Sequence, residues 1–372
     1  MILEHLGYVS DGIRLEHFKA ALAKVIRPGD RVADLGSGSG VLGLLCLQAG
    51  ASHVVAIDDS AIIDIARESL VRAGQGDNAT FIRGISSQIE LPEPVDVVIC
   101  DHVGYFGFDY GIIEFIQDAR RRFLKPGGTL MPSKIRLNVA AVASRQCSEL
   151  SLGWQGEKVP PEFNWLSSYS INAKHAVTLE RDDVLCTPAV LGDIDLYADS
   201  PAFFSWVAEL RIERDTVMHG LAGWFECELA ENIWMTNSPL AETPIQRPQA
   251  FFPIGDAVQV KSGDVVKVTL MARPTEHVIA WAVEFPATGQ RFSHSTWQGM
   301  LLSPEDMLRS NPNHVPQLSR EGQARMTVLG YCNGIRTVHE IEQAVLRDHP
   351  DLFPSSTEIS HFVFRILGRD TA

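Results

Sequence analysis

The run Arg31-Val32-Ala33-Asp34-Leu35-Gly36-Ser37-Gly38-Ser39-Gly40-Val41-Leu42, followed by Val54-Val55-Ala56-Ile57-Asp58-Asp59, decides the fold. An apolar strand breaks into alternating glycines, an amphipathic segment follows, and a second apolar strand ends in two carboxylates. That is one βαβ unit. Glycine lets the backbone turn tightly and without side chains against a ligand, and an acid at the tip of the second strand accepts both hydroxyls of a ribose. The unit reads as a nucleoside cradle.

Spacing narrows the ligand. A dinucleotide site wants Gly-x-Gly-x-x-Gly, whereas Asp34-x-Gly36-x-Gly38-x-Gly40 resembles the motif of class I S-adenosylmethionine methyltransferases. S-adenosyl-L-methionine is therefore the expected cofactor.

Working outward, Asp11 caps a helix whose apolar positions Ile13, Phe18, Ala21, Leu22 and Val25 recur at helical spacing. Further βα units follow the cradle: a helix over 64–73, a strand over 79–83, a turn over 84–92 and a strand over 95–100 that delivers Asp101 to the carboxyl edge of the sheet. Ligands of open α/β sheets bind at that edge. A helix over 111–124 and a strand from Thr129 close this half. From about Arg136 alternating strands run without helices between them, over 135–142, 217–228, 258–260, 265–271 and 278–285, which predicts a β barrel or sandwich. The interposed stretch 153–170, with Trp154, Trp165 and Tyr169, has the apolar character of a partner surface. From Ser303 the pattern is helical again, with Ser319, Thr337 and Ser356 opening three short helices. The expected architecture is an α/β Rossmann-like domain over 1–134, a β-barrel domain over 135–302 and a helical, winged-helix-like module over 303–372.

Composition limits what the chain does. The formal net charge of −14 disfavours nucleic acid and suits a cationic peptide. Six scattered cysteines without a Cys-x-x-Cys pair fit buried, reduced thiols rather than disulfides or a metal site. No stretch reaches the ~18 apolar residues of a membrane span, and the opening Met-Ile-Leu-Glu-His lacks a basic region and cleavage site. A cytoplasmic location is expected.

A Rossmann-like half followed by a barrel resembles the protein arginine methyltransferase family over about residues 1–300. His5, Tyr8, Asp11, Arg14 and Phe18 match that family's first helix, Asp34 with Gly36, Gly38 and Gly40 its glycine motif, and Asp58 its ribose acid. Ser86 and Ser87 match its adenine side, and Cys100-Asp-His-Val-Gly-Tyr105 the opening of its double-glutamate loop. The resemblance implies that Arg14 holds the methionine carboxylate, with Asp59 beside Asp58 at the ribose. It implies that Asp101 binds and polarises the acceptor, helped by Asp109 and Tyr110, with Tyr8, Tyr105 and Gln246 lining the acceptor. It further implies a homodimer paired through the 153–170 arm.

The sequence departs from the family at the acceptor. The first glutamate is shortened to Asp101, the second is replaced by Tyr110 with Asp109 one residue earlier, and the Thr-His-Trp segment becomes Ile245-Gln246-Arg247. A guanidinium, with a pKa of about 12.5–13.8, calls for two carboxylates, whereas one suffices for an imidazole near ~6.5. The expected function is methyl transfer to a side-chain nitrogen of a peptide or protein, a guanidine in first place. The alternatives are histidine, a free amino acid or a natural-product scaffold, and a docking protein that binds donor without turnover. His102 and His219 read as structural. The stretch 329–342 resembles the helical part of PqqD-like domains, which implies a leader segment of a precursor peptide as a possible partner.

Overall fold

The computed structural model describes residues 2–353 and 355–371. The chain divides into two compact units, Met1–Met300 and Leu301–Ala372.

The first unit opens with helices α1 (Ile2–Ser10) and α2 (Gly12–Val25). Asp11 separates them because its carboxylate accepts the Arg14 backbone N–H at 3.1 Å, the N-cap that a helix start needs. The βα units follow as β1 (Arg31–Leu35), α3 (Val41–Gln48), β2 (His53–Asp58), α4 (Ile62–Arg72), β3 (Ala79–Arg83), β4 (Val95–Cys100), α5 (Ile112–Arg122) and β5 (Leu124–Met131). Their strands form one parallel sheet in the order β3-β2-β1-β4-β5. Val32, Ala33, Val54, Val55, Val97 and Val98 are all buried, as strands covered on both faces must be.

Register, more than sequence proximity, builds the site. Leu35 pairs with both Ile57 and Cys100, so the residues that follow, Gly36, Asp58 and Asp101, emerge side by side at the carboxyl edge. The strand order also reverses between β1 and β4, the switch point at which such sheets bind ligands.

Next come β6 (Lys134–Val142), α6 (Arg145–Leu152), α7 (Ser167–Ser170), β7 (His175–Val177), β8 (Ala189–Asp195), β9 (Phe204–Arg211), β10 (Thr216–Ala230), β11 (Ile233–Thr236), β12 (Gln249–Val260), β13 (Val265–Arg273), β14 (Val278–Phe285) and β15 (Gln290–Ser295). The expected closed barrel is not found. These strands form two antiparallel sheets, one ordered β7-β12-β10-β6-β8 with β11 beside β10, the other β15-β14-β13-β9. Strand β10 is long enough to pair with β6, β12 and β11. The two sheets are joined by the Trp281 indole N–H, which donates to the Pro253 carbonyl at 2.7 Å.

The loop after β4 is pinned to this half. A side chain at Gly223 would meet Phe106 Cδ2 at 2.8 Å, so the Phe106 ring fills the space over β10 that the missing Cβ leaves. Phe252 packs edge-on against that ring at 5.1 Å, and Phe106 is fully buried. In the 153–170 segment Trp154, Phe163 and Trp165 stay exposed.

The second unit holds α8 (Pro304–Arg309), α9 (Arg320–Tyr331), α10 (Val338–Asp348) and α11 (Ser356–Asp370). It has its own core of Val328, Ile341, Val345, Phe362 and Val363. Ser319, Thr337 and Ser355 cap the last three helices, and the last begins at Ser356 as the sequence suggested. Among its described residues there is no strand, and the winged-helix expectation is not supported. No helix among the described residues is long and apolar enough to cross a membrane, and none of their His, Cys, Asp and Glu side chains group into a metal site.

Candidate active site

Three adjoining clefts lie at the carboxyl edge of the parallel sheet. The largest, of about 360 Å³, is walled by His5, Tyr8, Arg14, Gly36, Ser37, Gly38, Ser39, Val41, Leu42, Asp58, Asp101, His102 and Tyr110. A second of about 110 Å³ continues past Asp58 and Asp59 to Gly84, Ile85, Ser86 and Phe115. The third, of about 170 Å³, opens on the other side of Tyr8 and Arg14 between Asp11, Gly104, Tyr105, Tyr110, Gln246 and Arg247. The first two share Gly36, Asp58 and His102, and the first and third share Tyr8, Arg14 and Tyr110.

The glycine turn is shaped for close approach. Gly36, Gly38 and Gly40 have φ of +64°, +54° and +82°, the left-handed region that glycine enters without cost. A Cβ on Gly36 would lie 2.6 Å from His102 Cε1, so the His102 ring rests directly over the turn. Gly40 instead makes room for α4, where a Cβ would meet Ala66 Cβ at 2.9 Å. Asp58 fastens the turn to β2: Oδ2 accepts the Gly38 N–H at 2.9 Å, and Oδ1 accepts the Ser60 N–H and hydroxyl at 3.0 and 2.7 Å. Each oxygen keeps capacity to accept further hydroxyls. Asp34 lies behind the turn, buried, with Oδ2 accepting the Gly43 N–H at 3.0 Å. Burial pushes its carboxyl up to about 7.

Asp101 walls the main cleft, and its partners Arg14 and Arg247 wall the third. Its Oδ2 accepts Arg14 Nε–H at 2.7 Å and an Arg247 Nη2–H at 2.6 Å, while Oδ1 is buried without a hydrogen-bond partner among the described residues. Burial alone would raise the Asp101 pKa, but the guanidinium groups of Arg247 and Arg14 outweigh it and hold the carboxyl below the usual range. Arg14 also donates Nη1–H to the Tyr8 carbonyl at 2.9 Å, and its guanidinium lies over the Tyr8 and Phe18 rings.

The residues singled out from sequence are not all at the surface of the clefts. Arg14, Gly36, Gly38, Asp58 and Asp101 wall the main cleft, Asp59 and Ser86 the second, and Tyr105 and Gln246 the third, with Tyr8 and Tyr110 shared. Asp34 and Gly40 support the turn from behind, and Ser87 lies outside the walls. Asp109 points away from the clefts. Its Oδ2 accepts the Tyr105 and Phe106 backbone N–H groups, and Oδ1 faces Lys174, so it braces its own loop. Three residues were missed. His102 read as structural, yet it covers the turn; its position directly after Asp101 was the available signal. Lys174 carried no sequence cue, and Arg247 was marked only as part of the 245–247 departure from the family, because the partners of both are brought to them only by the fold. His219 accepts the Ser144 N–H at 3.0 Å, consistent with a structural role.

Known proteins resemble the chain in sequence and in fold. A family model described as ribosomal protein L11 methyltransferase matches residues 19–170, and one described as arginine methyltransferase oligomerization subdomain matches 136–285. Protein arginine N-methyltransferase 1 of Schizosaccharomyces pombe is 27% identical over 251 residues, covering 66% of this chain and 74% of the relative. Protein arginine N-methyltransferase 8-B of Danio rerio is 25% identical over 252 residues, and the match spans only 60% of its length. Among solved structures, the Trypanosoma brucei PRMT1 enzyme–prozyme heterotetrameric complex with AdoHcy shares the fold with a TM-score of 0.70 at 19% identity, covering 78% of this chain and 96% of that one. Taken together, these sequence likenesses mark the chain as an S-adenosylmethionine-dependent methyltransferase that is similar to protein arginine methyltransferases.

Proposed function

We propose that the protein methylates a side-chain nitrogen of a peptide or protein that enters through the cleft between Tyr105, Gln246 and Arg247. The observation that carries this is the meeting of two clefts at Arg14, Tyr8 and Tyr110, one walled by the glycine turn and one by the loop after β4. S-adenosylmethionine, when bound, supplies an electrophilic methyl group on a sulfonium. The residues present fit it: Asp58 and Asp59 would hold the ribose, Ser86 and Phe115 would flank the base, and Arg14 would pair with the amino-acid carboxylate. Tyr8, Tyr110 and His102 exclude water from the tail end, and Asp101 orients the acceptor nitrogen, so positioning does most of the work.

The named relatives act on arginine, which makes its guanidine the first acceptor to test. A second reading, an uncharged nitrogen, has one specific observation in its favour: Asp101 is already bridged by two arginines. We further assign the C-terminal unit to holding a leader segment of a precursor peptide, an assignment supported by the exposed Met326, Ile335 and Phe364 on its helices and the turn between them. Purified protein with methyl-labelled donor and peptide pools should yield labelled peptide, and Asp101→Asn should abolish labelling while still binding S-adenosylhomocysteine. Donor binding without labelling of any pool would instead mean a docking protein.

A further inference from the structure

Arg247 has no part in methyl transfer as described so far. Its Nη2–H meets Asp101 Oδ2 at 2.6 Å, its Nη1–H meets the Gly104 carbonyl at 3.3 Å, and its guanidinium lies 5.5 Å from the centre of the Tyr8 ring. A carboxylate, a carbonyl and an aromatic face are what a protein uses to grip a guanidinium. Here the chain's own arginine fills that grip. Its side chain is 9% exposed. Asp109, the other carboxylate of the loop, is taken up by two backbone N–H groups and Lys174.

Charge points the same way. Asp101 faces both Arg14 and Arg247, so two guanidinium groups share this one carboxylate, while the Asp11 carboxylate is taken up by the Arg14 and Gln246 backbone N–H groups. Asp101 Oδ1, buried and unpartnered among the described residues, remains to accept one N–H.

We propose that Arg247 sets the acceptor specificity, making the pocket take the neutral imidazole of a peptide histidine and turn away a guanidinium. This rests on the methyl-transfer function proposed above and narrows its acceptor. A guanidinium arrives charged and without a free lone pair, whereas an imidazole with a pKa near ~6.5 arrives neutral, with a lone pair on one nitrogen and an N–H on the other. The N–H donates to Asp101 Oδ1 while the lone pair on the far nitrogen forms the new N–C bond. The S–C bond of the donor breaks, sulfur keeps the electron pair as a neutral thioether, and the methylated ring then loses its N–H proton to water.

Two peptide libraries, randomised around a fixed histidine or a fixed arginine, decide the matter with methyl-labelled donor. The wild-type protein should label the histidine library at least about tenfold faster, with a rate that falls below pH ~6.5 as the imidazole protonates. Arg247→Gln should cut that preference at least about tenfold, and Arg247→Lys, which keeps the charge, should retain it. Calorimetry with S-adenosylhomocysteine checks that each variant still folds and binds donor. Equal or faster labelling of the arginine library, an unchanged preference in Arg247→Gln, or no labelling of either library despite intact donor binding overturns the proposal. Absence of heat with S-adenosylhomocysteine overturns the methyl-transfer function beneath it.

Discussion

Gly36→Ala offers a measurable test of the cradle. At φ +64° an alanine pays for left-handed backbone, about 1 kcal/mol, and its Cβ would force the His102 ring off the turn. That ring packs edge-on against Phe115 at 5.2 Å, a contact worth about 0.5–1.5 kcal/mol. Together the change should cost about 1.5–2.5 kcal/mol, or roughly 13- to 70-fold in affinity for S-adenosylhomocysteine. In a His102→Ala background the ring is gone and only backbone strain is left, so Gly36→Ala should then cost about fivefold. Isothermal titration of the four proteins closes the cycle. Equal losses in both backgrounds would show that His102 does not sit over the glycine. Wild-type affinity in the single variant would show that the turn is not where the donor binds.

Asp34 ionises at about 7 in the folded protein because it is buried, against 3.8 when exposed. A raised carboxyl pKa contributes stability that is complete below pH ~4 and lost as pH climbs through 7, by up to about 4 kcal/mol; denaturant melts should therefore show Asp34→Asn gaining on wild type from pH 5 to 8, and a constant gap would contradict the assignment. Arg14→Lys keeps the charge but not the paired Nε–H and Nη1–H contacts, and donor affinity should fall about tenfold as one charge-assisted hydrogen bond is lost. If binding is unchanged, Arg14 does not hold the donor. The exposed Trp154, Phe163 and Trp165 should lie in a dimer contact. Light scattering is expected to give two copies for wild type and one for Trp165→Glu, and a monomeric wild type would remove the idea.

What the sequence disclosed depended on how local the cause was. Asp34, Gly36, Gly38 and Asp58 are legible because backbone conformation and hydrogen bonding within one βαβ unit fix them. The helix caps at Asp11, Ser319 and Thr337 are equally local. Strands β7, β8, β9, β11 and β15 escaped notice: β7 and β11 run only three and four residues, and the sequence does not reveal the neighbours with which all five pair. The roles of Asp109 and Arg247 were hidden for a different reason. Lys174 is 65 positions from Asp109 and Arg247 is 146 from Asp101, and no periodicity links residues so far apart.

The ring of Phe106 seated over Gly223 has an implication for anyone transplanting this chemistry. The peg belongs to the nucleotide-binding half and the notch to the antiparallel half, so neither fragment carries the complete mould for the loop that presents Asp101. A chimaera joining this donor domain to a foreign sheet domain would need a glycine at the facing position, or it would inherit the donor cleft with its acceptor side set askew.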